Sequence, residues 1–350
     1  MADPILHIKD SYYFELPKFL WPAKYKSLDE LPTSLDFLKQ EAIKTGASMA
    51  DVNHELSGKI VIPQPFGSLK SFYARESGFA ISKFMVIEVV IAVLLVAIFA
   101  RLAPKVASGR APKGLGWNLF EAMLLFIRDG IARPAIDSHD HAHEEHAADD
   151  HAHAGHSHDD HGHGKHKKHH AHDGDRFLPI LWTMFFFILF CNLFGMLPWL
   201  GSPTGTFGVT LALAGCTFAT TLIAGTIKFG PIGFWKNQVP GMDLSPALAL
   251  LLKPMIFVIE VLGLFIKHGV LAVRLLANML AGHLVLLAIL GLIITAAEAN
   301  VSNTLFGVVS FSSVVGSTLL SCLELFVAFL QAYVFTFLSA LFIGAAVHQH

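Results

Sequence analysis

Long apolar runs separated by short polar segments dominate the chain. The runs at 84–102, 177–200 and 206–227 are each long enough to cross a hydrocarbon layer about 30 Å thick. Two further stretches, 245–297 and 304–347, would each exceed about 60 Å as one continuous helix, roughly twice that thickness. The pattern therefore predicts an all-α integral membrane protein with about five membrane-embedded helices. The last two must either break into two crossings each or lie steeply tilted.

The segment 114–134 is apolar but contains several charged side chains, so it makes a poor membrane span. We expect it to form an amphipathic helix that lies in the cytoplasmic interface of the membrane. The charged residues in it are Glu121, Arg128, Asp129 and Arg133.

Positive side chains directly follow the first and third apolar runs. Lys and Arg accumulate on the cytoplasmic side of membrane proteins, and the loop at 201–205 between the second and third runs is uncharged. We therefore expect the N-terminus to lie outside and the C-terminus to lie in the cytoplasm. The positive residues are Arg101, Lys105, Arg110, Lys113, Lys228 and Lys236.

The chain divides into four parts. The first is a polar, proline-rich extracytoplasmic segment, the second holds the first span and the interfacial helix, the third is an insertion, and the fourth is the membrane core. Their bounds are 1–80, 81–137, 138–175 and 176–350.

The N-terminal part contains the start and stop signals of one short helix. Ser34 is a candidate N-cap and Gly46 a candidate terminator, so the sequence predicts a helix through Lys44.

The insertion is of low complexity and holds fourteen of the 20 histidines, all within 139–172. A segment that buries so little apolar surface is expected to be disordered and cytoplasmic. Its imidazoles predict either weak binding of zinc, nickel or copper, or pH sensing. The alternative is a solvated insertion that binds metal ions only incidentally.

Composition supports the membrane assignment and excludes other classes. Hydrophobic residues make up 53% of the chain and charged residues 15%, whereas a soluble domain is about a quarter charged. The formal net charge of −2 gives no reason to expect nucleic-acid binding. No phosphate-binding glycine loop is present, and we expect no cofactor. The three cysteines lie in apolar runs and are predicted to be small buried side chains.

Polar residues recur every seven positions inside the two longest apolar stretches, which places each set along one side of a helix. Asn278 lies one turn beyond the last member of the first set, and His283 follows it. The first set is Lys253, Glu260, Lys267 and Arg274, and the second is Ser310, Ser317, Glu324 and Gln331.

Ionisable residues in a membrane span are costly and are therefore functional candidates. Arg274 has no neighbouring carboxylate in the sequence, so its partner must come from another helix, from water or from another chain. His283 and Glu324 could pair across the two helices as a proton relay. Glu260 and Lys267 could partly neutralise each other.

Four segments resemble subunit a of the rotary F-type ATP synthases. RLLANMLAGHL at 274–284 is similar to the signature helix of that family, and ELFVAFLQAYVF at 324–335 is similar to the helix that follows it. Segments 111–136 and 177–198 also look like earlier parts of the family.

The resemblance implies a stationary, proton-translocating subunit without a catalytic site of its own, in the plasma membrane of a bacterium. It implies a ring of c subunits, the peripheral-stalk b subunits and the rest of the ATP synthase as partners, besides the lipid membrane. It also implies that the last two helices form a long tilted hairpin against the ring, with two aqueous half-channels ending on either side of an essential Arg.

Residue by residue, Arg274 matches the essential Arg of the family, and Asn278 and Gln331 match polar residues that face the ring. His283 and Glu324 match the pair of the outer half-channel. The acidic residue of the cytoplasmic half-channel is matched by Glu260.

Two other classes remain as alternatives. A secondary metal transporter, such as a zinc carrier, would explain the histidine-rich insertion, although His268 and His283 stand alone within the spans. An intramembrane hydrolase is disfavoured because GVVSFSSVVG does not fit the GxSxG pattern of a nucleophilic serine.

Overall fold

The computed structural model describes residues 10–107, 114–136, 173–197, 200–239, 246–299 and 301–348. The expectations for the histidine-rich insertion at 139–172 lie outside these residues. The chain divides into two compact units. The first comprises Met1–Ile98, Phe187–Thr210 and Val273–Gln331, and the second comprises Phe99–Phe186, Leu211–Ala272 and Ala332–His350.

The N-terminal part carries strands that the sequence pattern did not predict. Strand β1 (Tyr13–Glu15) pairs antiparallel with β2 (Lys59–Val61), and β3 (Gly67–Ser71) pairs antiparallel with β4 (Ala74–Gly78). The strands are three to five residues long, too short for a clear alternation of polar and apolar positions.

Two short helices complete this part, α1 (Asp36–Thr45) and α2 (Met49–Leu56). Their buried side chains join those of the strands and turns in one small hydrophobic cluster, so this part has a core of its own. The members of the cluster are Tyr13, Leu31, Leu35, Leu38, Ala42, Val52, Leu56 and Phe72.

Helix α1 confirms the predicted terminator but not the predicted cap. Gly46 follows the helix with a φ of 66°, the left-handed conformation that glycine adopts without steric cost. Ser34 lies inside a 3₁₀ turn, Thr33–Leu35, that leads directly into the helix, so its side chain is not in the capping position.

Five helices in the described ranges are long and apolar enough to cross a membrane, as the sequence predicted. The membrane part is all-α, and every one of these helices contributes residues to both compact units. They are α3 (Lys83–Ala107), α6 (Leu178–Gly195), α7 (Phe207–Asn237), α8 (Pro246–Glu298) and α9 (Asn303–Val347).

One of the predicted helix ends was wrong. Helix α6 ends at Gly195, five residues early, ahead of Pro198, which cannot extend a helix. Helix α7 has a kink at Gly230, whose φ of 76° is not helical and which precedes Pro231. Its first part therefore ends close to the predicted end at 227, and a second helical part continues to Asn237.

The two longest apolar stretches do not break. Helix α8 has 53 residues and α9 has 45, each continuous, so the alternative of two crossings per stretch is wrong. In the first unit the two helices form an antiparallel hairpin, because a contact between positions 278 and 331 is followed by one between 283 and 324.

The predicted amphipathic segment is helical. It consists of α4 (Leu115–Ile127), a π-helical turn at Arg128–Ala132 and α5 (Arg133–Ile136). Arg128 donates two hydrogen bonds to Asp129, and these bonds raise the pKa of Arg128 and lower that of Asp129. Both side chains are therefore charged at neutral pH.

Charged groups also join α5 to the last residues of the insertion, which form a 3₁₀ turn, Asp173–Arg176, where the sequence predicted disorder. Arg133 donates two hydrogen bonds of 3.1 Å to the carboxylate of Asp175, in the fork geometry that suits a guanidinium. Beside this ion pair, His348 contacts the carbonyl of Ile136.

The three cysteines are free. Cys191 is buried as predicted, but Cys216 and Cys322 are exposed. Both lie on the outer sides of long helices, which an apolar run by itself does not distinguish from the inner sides.

Candidate functional site

The hairpin of α8 and α9 brings together four of the predicted site residues in two pairs. The first pair is Asn278 and Gln331, whose side chains are hydrogen-bonded with a distance of 2.7 Å from Asn278 Nδ2 to Gln331 Oε1. Gln331 is buried, whereas Asn278 is exposed. The buried Gln331 amide therefore fixes the position of the exposed Asn278 side chain by accepting its hydrogen bond.

The second pair is His283 and Glu324. Nδ1 of His283 lies 3.8 Å from Oε1 of Glu324, too far for a direct hydrogen bond and close enough for an ion pair if the imidazole is protonated. Their side chains are 20% and 8% exposed, respectively. The geometry suits two groups that exchange a proton through a small rearrangement or one bridging water.

Gly282 makes the approach of Glu324 possible. A Cβ at position 282 would lie 2.6 Å from Oε1 of Glu324, closer than real side chains approach each other. Sequence reasoning missed this residue, because a glycine inside a long apolar helix has several structural explanations. The one feature of the sequence that could have indicated its role is its position directly before His283.

Arg274 lies on α8 one turn before Asn278 and is half-buried. The inner side of the helix here consists of Leu271, Leu275 and Met279, each no more than 5% exposed. Arg274 and Asn278 lie at the edge of that inner side, between it and the exposed side of the helix. Within the described part of the chain, Arg274 forms no hydrogen bond and no ion pair.

Glu260 is not part of this cluster. It lies on α8 in the second unit, fourteen residues before Arg274, and is half-buried. No ion pair joins Glu260 and Lys267 in the described residues. Lys267 points outward and is exposed.

Several buried polar atoms in the described residues have no hydrogen-bond partner, although folded proteins satisfy nearly all such groups. Six of the seven lie in the first unit, and five of those six lie on the α8–α9 hairpin. Glu88 on α3 is the sixth. The sequence pattern did not single it out, because one acid near the start of the first span looks like an isolated charge. The hairpin atoms are His283 Nε2, Ser310 Oγ, Ser313 Oγ, Glu324 Oε1 and Gln331 Nε2.

The seventh such atom is Nε2 of His268 in the second unit. The imidazole is 4% exposed, its Nδ1 bonds the carbonyl of Leu264 on its own helix, and its ring packs between Phe218 and Phe342. This arrangement is that of a packed aromatic side chain.

No group of three or more His, Cys, Asp or Glu side chains that could hold a metal ion occurs among the described residues. The histidine-rich insertion lies outside them.

These features define a multi-pass helical membrane protein whose intramembrane polar groups are concentrated on one long hairpin. Residues 164–344 match the protein family described as ATP synthase A chain, and the chain belongs to that family. This confirms the resemblance seen in the sequence, and it gives no support to a metal carrier.

Similar proteins come from several bacteria. The chain is 39% identical to ATP synthase subunit a of Myxococcus xanthus over 68% of this chain and 64% of that protein. It is 47% identical to ATP synthase subunit a of Anaeromyxobacter dehalogenans strain 2CP-C, over 51% of this chain and 44% of the relative. It is 34% identical to ATP synthase subunit a 2 of Chlorobaculum tepidum, over 84% and 72% of the two chains. The chain thus spans less than two thirds of the length of the first two relatives.

Proposed function

We propose that the chain is the stationary proton-translocating subunit of a bacterial F-type ATP synthase, and that it couples the proton-motive force to rotation of a c-subunit ring. The observation that carries the proposal is Arg274. It lies at the edge of the hairpin's inner side, inside a segment long enough to cross a membrane, with no partner among the described residues. A permanently charged group in such a place is stabilised by an anion, and in this proposal the anion comes from another chain.

A carboxylate carried by a ring of c subunits supplies that anion. The Arg274 guanidinium stays protonated at any physiological pH, so it stabilises the ionised carboxylate of a passing c subunit and favours release of its proton. The same fixed charge opposes a proton that would cross directly from one half-channel to the other. Rotation of the ring is then the path left for net proton transfer.

The outer half-channel runs past Glu324 and His283. A proton from outside binds one of these groups, passes to the other and then neutralises a ring carboxylate, so that the charge moves without a covalent intermediate. The orphaned polar atoms of the hairpin support this role, because buried groups without a partner in the chain are suited to contact water. Asn278 lines the ring side next to Arg274, and the buried Gln331 accepts its hydrogen bond.

Glu260 belongs to the inner half-channel in this proposal. Its place in the other compact unit supports a separate role from the His283–Glu324 pair. The protonated ring carboxylate releases its proton toward Glu260 after rotation. In this proposal the N-terminus is outside and the C-terminus is in the cytoplasm. Each proton that moves inward releases about 2.3 kcal/mol of free energy per 100 mV of membrane potential.

The partners that follow are the c ring, the peripheral-stalk b subunits, the remaining ATP synthase subunits and the lipid of the plasma membrane. The exposed side of α8 supports contact with other apolar surfaces. Its large side chains there are half exposed or more, namely Val258, Ile259, Leu262, Phe265, Ile266, Val270 and Val273.

Replacement of Arg274 tests the proposal. We expect Arg274→Ala to abolish proton-driven ATP synthesis in membrane vesicles while the complex still assembles, because the counter-charge for the ring carboxylate is lost. Arg101→Ala is the matched control, since Arg101 is an exposed Arg on α3. Normal coupled synthesis by Arg274→Ala would reject the proposed function.

A further inference from the structure

A chain of buried hydrogen bonds links α6 to the proton-path face of α9. Asn192 near the end of α6 is 2% exposed, and its Nδ2 donates to the backbone carbonyl of Ala328 on α9, at 3.3 Å. Its Oδ1 accepts a hydrogen bond of 2.7 Å from the hydroxyl of Thr204. All of these residues belong to the first compact unit.

The direction of the chain follows from hydrogen counting. The Thr204 hydroxyl has one hydrogen, which it donates to Asn192. The contact of 2.9 Å between the Ser202 and Thr204 hydroxyls must therefore use the hydrogen of Ser202. The chain runs from Ser202 to Thr204 to Asn192 to the Ala328 carbonyl. Ser202 is 4% and Thr204 0% exposed, so water does not substitute for any of these links.

The end of this chain lies between two residues of the proposed proton path. Ala328 is four positions after Glu324 and three before Gln331, so the three residues share one side of α9. All three are buried. Because alanine has no side chain beyond Cβ, the Asn192 amide reaches the backbone carbonyl, which also serves the hydrogen bonding of its own helix.

A glycine allows the same region to pack closely. A Cβ at Gly195 would lie 2.4 Å from Cε of Met279 and 2.5 Å from Cβ of Ser202. Gly195 thus lets Ser202, the start of the hydrogen-bonded chain, and Met279 of α8, next to Asn278, both approach the end of α6 closely. The end of α6 therefore contacts both helices of the hairpin, α8 through Met279 and α9 through the carbonyl of Ala328.

We infer that Asn192 and Thr204 are positioning residues, which fix the rotation and axial position of α9 so that Glu324 stays beside His283 and Gln331 stays beside Asn278. Neither Asn192 nor Thr204 has to carry the proton for this role. The inference rests on the proposed function, because positioning has a consequence only if the hairpin conducts protons.

The central experiment compares two substitutions at one site in the complete ATP synthase complex. Thr204→Val keeps the volume and removes the hydroxyl, whereas Thr204→Ser keeps the hydroxyl. We expect passive proton flux through the membrane sector to fall about tenfold in Thr204→Val at an unchanged amount of assembled complex, and to return close to the wild-type level in Thr204→Ser.

Thr210→Val is the matched control. Thr210 is equally buried, but its hydroxyl bonds carbonyl groups of the same local segment, at Thr206 and Phe207. We expect wild-type flux in this variant. Equal losses in Thr210→Val and Thr204→Val, wild-type flux in Thr204→Val, or no recovery in Thr204→Ser would overturn the positioning role.

A milder variant keeps the test decisive if Thr204→Val assembles poorly, and a double variant tests whether Asn192 and Thr204 act together. Ser202→Ala removes only the first link, and we expect a smaller loss of flux than in Thr204→Val. Combining Asn192→Leu with Thr204→Val should cause no further loss than Asn192→Leu alone, because the chain is already broken. Additive losses would show that the two residues act independently, contrary to the inference.

Thermal unfolding of the purified complex separates this inference from the proposed function. A double-mutant cycle of Asn192→Leu and Thr204→Val on the Tm should give non-additive shifts whether or not protons are conducted. Additive shifts would refute the hydrogen-bonded chain itself. If the wild-type sector conducts no protons, the proposed function fails and the positioning role fails with it, even where the cycle shows coupling.

Discussion

At the scale of single residues, the absence of a side chain at Gly282 decides where the Glu324 carboxylate lies. The Cβ of any other residue would overlap Oε1 of Glu324. The carboxylate would then have to move away from α8, and with it from His283, which follows Gly282 in the chain. The smallest possible substitution thus disturbs the pair without removing either partner.

We therefore predict that Gly282→Ala lowers proton flux through the membrane sector toward the level of Glu324→Gln, by about tenfold. The measurement is passive proton flux in vesicles with equal amounts of complex. Gly291→Ala is the matched control, because Gly291 lies on the same helix and a Cβ there meets nothing within 4 Å. Wild-type flux in Gly282→Ala would show that the position of Glu324 is not critical.

Among single residues, the sequence was most informative about charges in apolar surroundings. Arg274 stood out because a guanidinium at membrane depth is costly wherever the chain folds. Asn192 and Thr204 did not stand out, because an amide or hydroxyl in a span has many uses. Only their burial and shared hydrogen bonds distinguish them.

At the scale of elements, α2 shows how local hydrogen bonds define a helix start. Ser48 and Asp51 form a capping box, in which the Ser48 hydroxyl accepts from the backbone of Asp51 and the Asp51 carboxylate accepts from the backbone and hydroxyl of Ser48. These hydrogen bonds lower the pKa of Asp51 below its usual 3.8. The stabilisation is therefore present above that value and is lost as the pH falls through the lowered pKa.

We predict that Asp51→Asn speeds amide hydrogen exchange at residues 49–56 of the full-length chain at neutral pH. The difference from the wild type should narrow as the pH falls below the usual pKa of Asp, because the wild-type carboxylate then becomes protonated as well. Glu41→Gln provides the control, since Glu41 is an exposed acid of α1. A difference that does not change with pH would contradict the assigned role of the charge.

The elements differ in how far their sequence defines them. Long apolar runs located all five long helices, because length and hydropathy are local properties. Their ends were less well determined. Helix α6 ends five residues early at Gly195, and α7 continues past a kink at Gly230 to Asn237.

At the scale of the whole molecule, the insertion is the part that the proposed function does not use. Arg133, which precedes the insertion, already forms a bidentate ion pair with Asp175 at its end. This ion pair therefore already brings together the residues that precede and follow 138–172.

We predict that replacing residues 138–172 by a short Gly/Ser linker leaves ATP-driven proton pumping unchanged. Adding Arg133→Ala to the same replacement should reduce the yield of assembled complex, because the ion pair with Asp175 is lost. Metal uptake by whole cells is the second measurement. A change in metal uptake with intact proton pumping would assign the insertion a transport role after all.

The orientation of the chain is testable by cysteine labelling after the native cysteines have been replaced by serine. With the N-terminus outside, an impermeant maleimide added to intact cells should label Lys26→Cys and Ser302→Cys but not Lys236→Cys. Each of these positions is exposed. The opposite labelling pattern would invert the proposed direction of proton entry.

The sequence by itself determined that the protein spans a membrane, where its long helices lie and which ionisable residues are candidates for the proton path. These conclusions depend on hydropathy, on helical periodicity and on the cost of burying charge, all of which are properties of a local stretch of chain. Only the tertiary structure decided that the two longest stretches stay unbroken, that Asn278 meets Gln331 and that Gly282 admits Glu324. Those contacts join residues about 40 to 50 positions apart, and their geometry depends on how whole helices pack.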